Sequence, residues 1–351
     1  MKNRFLFNIH SIAGLASGLF ILLMSLSGSV LIFHDELDGL QQPYISYSQS
    51  KKSSIDNCYF VIQKKYPNAQ ISNCTIPGEG NQPVSFIIYD SSYKNGKAGI
   101  ELFLHPQTAT ILKTSGSGNS FAGWLSKFHR SFYLGKTGEW LLGCFAIIFL
   151  ISIITGCILY RKKILPALLF KKEIYKWNNL HQLIAVYALI FNLMIAITGF
   201  WMQRYVFKKE FYATNKYTSV LKASAPLPFK FDEAYVKLQN KYPDFTASVI
   251  YFAQSNKGKT ALYGSRSSNA YIHSKKFADV IFLDSTGNIA KIRFVNEIAV
   301  ADRYDIINSQ LHMGRFGGIG IKIIYLLFGL TGSLLSITGF LLWYKRKKRN
   351  S

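Results

Sequence analysis

The chain has 351 residues, 49% of them hydrophobic, and a formal net charge of +23 from 41 lysine and arginine residues against 18 acidic ones. The basic residues concentrate in short segments beside long apolar ones, a distribution that favours membrane anchoring and does not favour nucleic-acid binding. Zinc-type spacing of cysteine and histidine, nucleotide-binding motifs and signs of a serine or cysteine nucleophile are absent from the sequence.

Four stretches are long and apolar enough to cross a bilayer, for which about 20 residues are needed. The first runs into a polar segment without a small-residue cleavage pattern, so it is interpreted as a retained helix and not as a signal peptide. The stretches predict transmembrane helices at about Ile12–Phe33, Trp140–Tyr160, Leu183–Tyr205 and Ile321–Trp343.

If the chain crosses the membrane four times, all the short basic segments beside these helices lie on the same side of it. This pattern predicts that both termini are cytoplasmic and that the connections at about 35–139 and 206–320 lie outside. The basic residues are Lys2 and Arg4; Arg161, Lys162, Lys163, Lys171, Lys172 and Lys176; and the tail Lys345–Arg349.

The two long connections predict similar small folds. Residues 55–66 and 231–242 have helical periodicity and end at Pro67 and Pro243, which stop a helix. Apolar runs at Val84–Tyr89, Ile100–Leu104, Ala247–Phe252 and Val280–Leu283 follow as strands. The segments Leu104–Thr108 and Leu283–Gly287 predict hairpin turns, and amphipathic helices are predicted at about Phe121–Phe132 and Asp302–His312.

The histidines recur with fixed spacing, which suggests an internal duplication. His129 and His312 each precede a glycine by 27 residues (156 − 129 and 339 − 312), and His10 and His181 by 18 (28 − 10 and 199 − 181). The predicted fold is an α-helical membrane protein with four transmembrane helices from this duplication and two extracytoplasmic α+β insertions. Its predicted segments are the first transmembrane helix (1–34), the first insertion (35–118), an interfacial helix with the second transmembrane helix (119–160), a cytoplasmic loop (161–178), the third transmembrane helix (179–205), the second insertion (206–300), an interfacial helix with the fourth transmembrane helix (301–344) and a basic cytoplasmic tail (345–351).

The cysteines leave one question open. Cys144 and Cys157 lie 13 residues apart on one predicted helix and cannot bond each other. Cys58 and Cys74 share an outer connection where oxidation is permitted, so they form either a structural disulfide or two free thiols.

The sequence resembles the PepSY-associated transmembrane helix proteins, which include ferric-siderophore reductases of bacterial inner membranes. The motifs are Ser27-Gly28 through Asp38, Phe128-His129-Arg130, Leu311–Arg315 and Thr338–Tyr344 with the basic tail. The resemblance implies a four-helix core in the inner membrane, two PepSY-like insertions, two b-type haems, and electron transfer outward to iron in a ferric siderophore or other chelate.

Haem of this type commonly takes two imidazoles as axial ligands. His10 with His181, and His129 with His312, are the predicted ligand pairs at two depths. His34 has no repeat equivalent and could replace one member of the outer pair, bind substrate or deliver protons. Arg130 and Arg315 are predicted to bind haem propionates or an anionic chelate, with lipid phosphate as an equally good partner.

Three functions remain open from the sequence. The favoured one is a di-haem reductase that receives electrons from quinol or from a cytoplasmic reductase, since the 161–178 loop is too short for a flavin or nicotinamide domain. The alternative is a non-redox protein whose insertions bind or regulate an extracytoplasmic partner. A transporter is disfavoured because Arg204 and Lys322, the charges found in the spans, lie at span ends.

Overall fold

A computed structural model describes residues 2–45, 54–76, 82–94, 98–169, 177–208, 223–255, 258–267 and 272–350. The chain forms two compact units. The membrane unit consists of Met1–His34, Trp124–Thr214 and Asn308–Ser351, and the sheet unit of Asp35–Gly123 and Asn215–Ile307. The two predicted insertions are therefore parts of one sheet unit.

The helices follow the apolar and amphipathic stretches of the sequence. In chain order they are α1 (Lys2–Leu31), α2 (His34–Gly39), α3 (Ile55–Lys65), α4 (Phe121–Ser131), α5 (Gly135–Tyr160), α6 (Ile164–Leu168), α7 (Trp177–Tyr187), α8 (Leu189–Gln203), α9 (Phe231–Lys241), α10 (Val300–Met313) and α11 (Gly318–Asn350). Single 3₁₀ turns at Arg161–Lys163 and Arg204–Phe207 follow α5 and α8.

Within the described residues, four helical segments are long and apolar enough to span a membrane, as predicted. They are Arg4–Leu31, Gly135–Leu168, Leu189–Phe207 and Gly318–Arg349. The third predicted helix is divided at Ala188, where ψ is 3°, although backbone hydrogen bonds continue on both sides. Lys171, Lys172 and Lys176, predicted as cytoplasmic anchors, lie outside the described residues.

The strands of the sheet unit form one antiparallel sheet. They are β1 (Gln70–Thr75), β2 (Val84–Tyr89), β3 (Ile100–Leu104), β4 (Ile111–Gly116), β5 (Phe245–Tyr251), β6 (Thr260–Arg266), β7 (Asp279–Leu283) and β8 (Ile289–Arg293). Their order among the described residues is β4-β3-β2-β1-β5-β6-β7-β8, so β1 and β5 join the two halves edge to edge. The expectation of two separate sheets is wrong, because pairing these edges satisfies backbone groups that two small sheets would each leave exposed.

The two helices of the sheet unit cap each other. The Asp232 carboxylate of α9 accepts hydrogen bonds from the backbone N–H of Ile55 (3.0 Å) and from the Ser54 hydroxyl (2.7 Å) at the start of α3. The Asp56 carboxylate of α3 accepts from the backbone N–H groups of Phe231 and Asp232, both at 2.9 Å. Each aspartate therefore satisfies the open N–H groups of the other helix, which ties the two halves together.

One hydrophobic core lies between the sheet and these helices, with contributions from both halves. Cys58 and Cys74 are part of this core as free, fully buried thiols, so the disulfide interpretation is not supported by the structure. Burial, assisted by nearby Asp232, raises the pKa of the Cys58 thiol to about 12. Such thiols act as small hydrophobic side chains.

The predicted hairpin turns connect β3 to β4 and β7 to β8. In the second, Asp284 Oδ1 accepts from the backbone N–H groups of Thr286 (2.8 Å) and Asn288 (3.1 Å), and Gly287 takes a left-handed φ of 81°. In the first, His105 Nδ1 accepts from the backbone N–H of Gln107 at 3.2 Å. His105 is thus a turn residue of the sheet unit.

Candidate functional site

Five of the seven histidines lie in the membrane unit, and four of them contact a neighbouring helix. His10 is near the start of α1 and His181 near the start of α7. His129 lies near the end of α4, before α5, and His312 near the end of α10, before α11. We call the end of the unit that holds His10 and the C-terminal part of α11 the terminal end, and the opposite end the loop end.

Each of these histidines contacts a Ser/Thr–Gly dipeptide on a neighbouring helix. His10 of α1 meets Thr155-Gly156 of α5, and His129 of α4 meets Ser27-Gly28 of α1. In the second half, His181 of α7 meets Thr338-Gly339 of α11, and His312 of α10 meets Thr198-Gly199 of α8. The distances from Nδ1 to the hydroxyl oxygen are 3.4 Å for His10–Thr155, 2.9 Å for His129–Ser27, 2.8 Å for His181–Thr338 and 3.0 Å for His312–Thr198.

The hydroxyl groups determine which imidazole nitrogen carries the proton. All four also donate their one hydrogen to a main-chain carbonyl in the preceding turn, at 2.7 Å; the acceptors are Leu23, Ile151, Met194 and Leu334. With that hydrogen used, each oxygen can only accept from the imidazole, which therefore carries its proton on Nδ1. The Nε2 lone pair is then available to a metal ion.

His10 supports the same assignment by a second contact. Its Nδ1 lies 2.9 Å from the main-chain oxygen of Ser152. A carbonyl oxygen only accepts hydrogen bonds, so this nitrogen must be protonated.

The glycine of each dipeptide makes room for the imidazole. A Cβ built on Gly28, Gly156 or Gly199 would lie 3.1 Å from the Cε1 atom of the facing ring, and one on Gly339 would lie 3.5 Å from it. The first three distances are tighter than a side chain ordinarily tolerates, whereas the fourth is ordinary contact. Glycine therefore lets the imidazole come close to the helix backbone at Gly28, Gly156 and Gly199.

At the terminal end, His10 and His181 line the same cavity. Its volume is about 800 Å³, within the range of roughly 300–1,000 Å³ that small-molecule and cofactor sites occupy. Besides the two histidines, the lining is mostly aliphatic and aromatic, with Gly14, Gly18 and Gly156 giving it width. The cavity thus presents two imidazoles in an apolar space.

At the loop end, the rings of His129 and His312 face each other. Their centroids are 6.5 Å apart and their planes are inclined by 49°. Two nitrogens on opposite sides of one metal ion, each at about 2 Å from it, lie about 4 Å apart, and ring centroids lie farther apart than the nitrogens. A single metal ion between the rings fits this separation.

The two pairs are far apart along the helices. Seventeen residues of α1 separate His10 from Ser27, which holds His129 (27 − 10). At a rise of 1.5 Å per residue this is about 26 Å, close to the roughly 30 Å thickness of a bilayer's hydrocarbon core. The separation of the two pairs along α1 is therefore comparable to the thickness of the hydrocarbon core.

His34 does not belong to either arrangement. It begins α2, beyond the end of α1, and all four hydroxyl groups hold other histidines. His129 and His312 lie next to each other at the loop end. The three roles expected of His34, as a replacement in the outer pair, in substrate binding or in proton delivery, stay predictions.

The two predicted arginines lie at the loop end. Arg130 is exposed on α4 and acts electrostatically on Tyr205, whose hydroxyl donates to Glu139 Oε2 at 2.9 Å. Arg315 is partly buried between α10 and α11. Binding of propionate or chelate by either arginine stays a prediction.

The structure adds residues that the sequence analysis did not select. Lys163 and Arg346, interpreted only as membrane anchors, also line the terminal-end cavity. So does Asn192, which is buried in α8 and donates to Thr331 Oγ1 at 3.3 Å. A polar amide inside an apolar span is costly, and that signal could have identified Asn192 from the sequence.

The ligand groups come in pairs. Across the part of the chain that the structure describes, no three or more His, Cys, Asp or Glu side chains cluster as they would around a zinc or non-haem iron ion. Two facing imidazoles instead suit a metal whose other coordination positions are filled by a macrocycle.

Comparison with known proteins places the chain in a family. The family model of the PepSY-associated TM region matches residues 7–346, so this protein belongs to the PepSY-associated TM family. No curated protein matches the chain significantly.

Proposed function

We propose that this member of the PepSY-associated TM family is a di-haem b oxidoreductase that passes electrons across the bacterial inner membrane. His10 and His181 would hold one haem and His129 and His312 the other. The observation that carries the proposal is the repeated arrangement in which four imidazoles are fixed by Nδ1, with Nε2 available, in two pairs at opposite ends of one helical unit.

The residues present fit the cofactor. Each pair supplies two neutral imidazoles, the apolar cavity beside His10 and His181 has the size of a cofactor site, and the 6.5 Å centroid separation of the other pair accepts one metal ion. When bound, haem iron supplies one-electron chemistry between its ferric and ferrous states. The chain's own contribution is to orient the imidazoles and to set their basicity through the hydroxyl acceptors.

The proposed acceptor is ferric iron in a siderophore or another chelate on the periplasmic side. One electron converts Fe(III) to Fe(II), which hard oxygen chelators bind less tightly. The electron would come from a quinol or from a cytoplasmic reductase, which is oxidised in turn. This assignment places both termini in the cytoplasm and the sheet unit in the periplasm.

Haem stoichiometry in histidine variants tests the proposal. We expect two haems per chain in the purified wild-type protein, one in His181→Ala and one in His312→Ala, each variant losing a different site. His105→Ala is the matched control, because His105 lies in a turn of the sheet unit. Haem counts are read from reduced-minus-oxidised spectra together with protein concentration.

Two results would contradict this assignment. A colourless wild-type protein, expressed with ample haem, would favour the non-redox alternative in which the membrane unit anchors a partner-binding sheet unit. Full haem content in both histidine variants would show that other residues bind the cofactor. With haem bound, a stopped-flow assay of ferric-chelate reduction then tests the acceptor.

A further inference from the structure

The terminal-end cavity has two positively charged side chains in its wall. Lys163 lies in the 3₁₀ turn after α5, and Arg346 lies near the C-terminal end of α11. Both line the cavity together with His10 and His181. The rest of the lining is largely apolar, so these cations are the unusual feature of its surface.

Aromatic rings support both cations without neutralising them. The Arg346 guanidinium carbon lies 4.5 Å from the centroid of the Phe7 ring, and Lys163 Nζ lies 5.7 Å from that of Tyr160. Neither cation forms an ion pair or a hydrogen bond with a described residue. A ring face holds a cation in place but leaves its N–H donors available.

The basic residues beside the spans are thus of two kinds. Lys162, Lys163, Arg346 and Arg349 are all exposed, but Lys162 and Arg349 are not part of the cavity lining, as expected for membrane anchors. Lys163 and Arg346 combine the same sequence context with a place in the cavity wall. Unneutralised cations beside an apolar cavity favour a ligand that carries anionic groups at that end.

We infer that Lys163 and Arg346 bind the carboxylates of the ligand in this cavity and so orient it with those groups toward the terminal end. The inference rests on the proposed function, in which the ligand is haem b with its two propionates. Arg346 suits a bidentate contact with one carboxylate, and Lys163 a single charged contact with another.

Lipid phosphate is the other source of anionic groups at a membrane surface, and the experiment separates the two. Apo-protein carrying His312→Ala, in which only the terminal-end pair remains, is titrated with haem and with haem dimethyl ester in a neutral detergent. The ester keeps the macrocycle and iron but has no carboxylates. We expect the parent protein to bind haem about tenfold or more tightly than the ester, since each charge-assisted hydrogen bond to a carboxylate strengthens binding.

In the double variant Lys163→Gln/Arg346→Gln, the affinities for haem and for its dimethyl ester should lie within about threefold of each other, because both charges are removed. The control Lys162→Gln/Arg349→Gln should keep the parent's preference, because it removes two charges outside the cavity. Arg346→Lys should keep part of the preference for haem over the ester, because lysine retains the charge but not the two-pronged contact. Thermal unfolding with the ester bound checks that all variants fold alike.

Each other outcome overturns the inference in a recognisable way. Equal binding of both probes by the parent, or an unchanged preference in the double variant, would show that these cations do not bind the carboxylates. A difference that appears only in vesicles with anionic lipid would assign them to headgroups. If the parent binds neither probe, the proposed function fails as well.

Discussion

The hydroxyl of Thr338 offers a sharp test of how the imidazoles are fixed. Thr338 is 2% exposed, and its Oγ1 lies 2.8 Å from His181 Nδ1. Thr338→Val keeps the side-chain shape but removes the acceptor. The Nδ1–H group is then left without its partner, at a cost of about 1–3 kcal/mol, or the proton moves to Nε2 and removes the metal-binding lone pair.

Loss of such a partner lowers metal affinity by roughly 10–100-fold. We therefore expect haem titrated into apo-protein to bind the terminal-end site of Thr338→Val more weakly by about this factor. The midpoint potential of that site should rise, because a less basic imidazole stabilises ferric iron less well. Thr338→Ser, which keeps a hydroxyl, should restore most of the affinity.

Two comparisons make this prediction specific. Ser336→Ala removes a hydroxyl from the same helix and cavity, but one that donates to the Gly332 carbonyl at 3.0 Å, so haem affinity should not change. Thr155→Val should reduce haem affinity less than Thr338→Val does, because the Ser152 carbonyl, 2.9 Å from His10 Nδ1, still accepts its hydrogen bond. Unchanged affinity in Thr338→Val, or an equal loss in Ser336→Ala, would refute the reasoning.

Three further predictions follow from distances and burial. Gly199→Ala should reduce haem content at the loop end, because the new Cβ lies 3.1 Å from a carbon of the His312 ring. Gly339→Ala should be tolerated at the terminal end, because its Cβ lies 3.5 Å from the His181 ring. Equal haem counts in the two variants would contradict this. Cys58 should react with a thiol reagent about 10³-fold more slowly in the folded than in the unfolded protein, because its pKa is about 12 when folded and its ordinary value is 9.0. The folded state also holds the thiol proton more tightly than the unfolded state. The free energy of unfolding of the sheet unit should therefore fall as pH rises from 9 towards 12. Asp232→Ala should lower the free energy of unfolding, measured by chemical denaturation, by about 1–2 kcal/mol, which is typical of a lost helix cap. A change below about 0.5 kcal/mol is the scale of an ordinary surface substitution. Such a result would mean that water replaces the cap.

Much of the sheet unit follows from local signals. The helices at Ile55–Lys65 and Phe231–Lys241 and the strands β2 and β3 lie where periodicity predicts them. The strands β1, β4, β6 and β8 were not predicted, because their residues lack a continuous apolar run. Their existence depends on pairing with neighbours, which a single segment does not encode.

The duplication remains a prediction, and so do the haem ligands that it suggested. Equal spacings of 18 and 27 residues identified four histidines as members of one arrangement. The neighbouring hydroxyl as an imidazole acceptor was missed, since a hydrogen bond between His10 and Thr155 joins residues 145 positions apart.

By itself, the sequence determined the four spans, because the transfer of an apolar segment into a membrane depends on that segment alone. Tertiary structure decided which helix each imidazole meets, how β1 joins β5, and that Lys163 and Arg346 face a cavity. Those facts depend on packing between distant segments, where contact distances of a few ångströms select one neighbour among many.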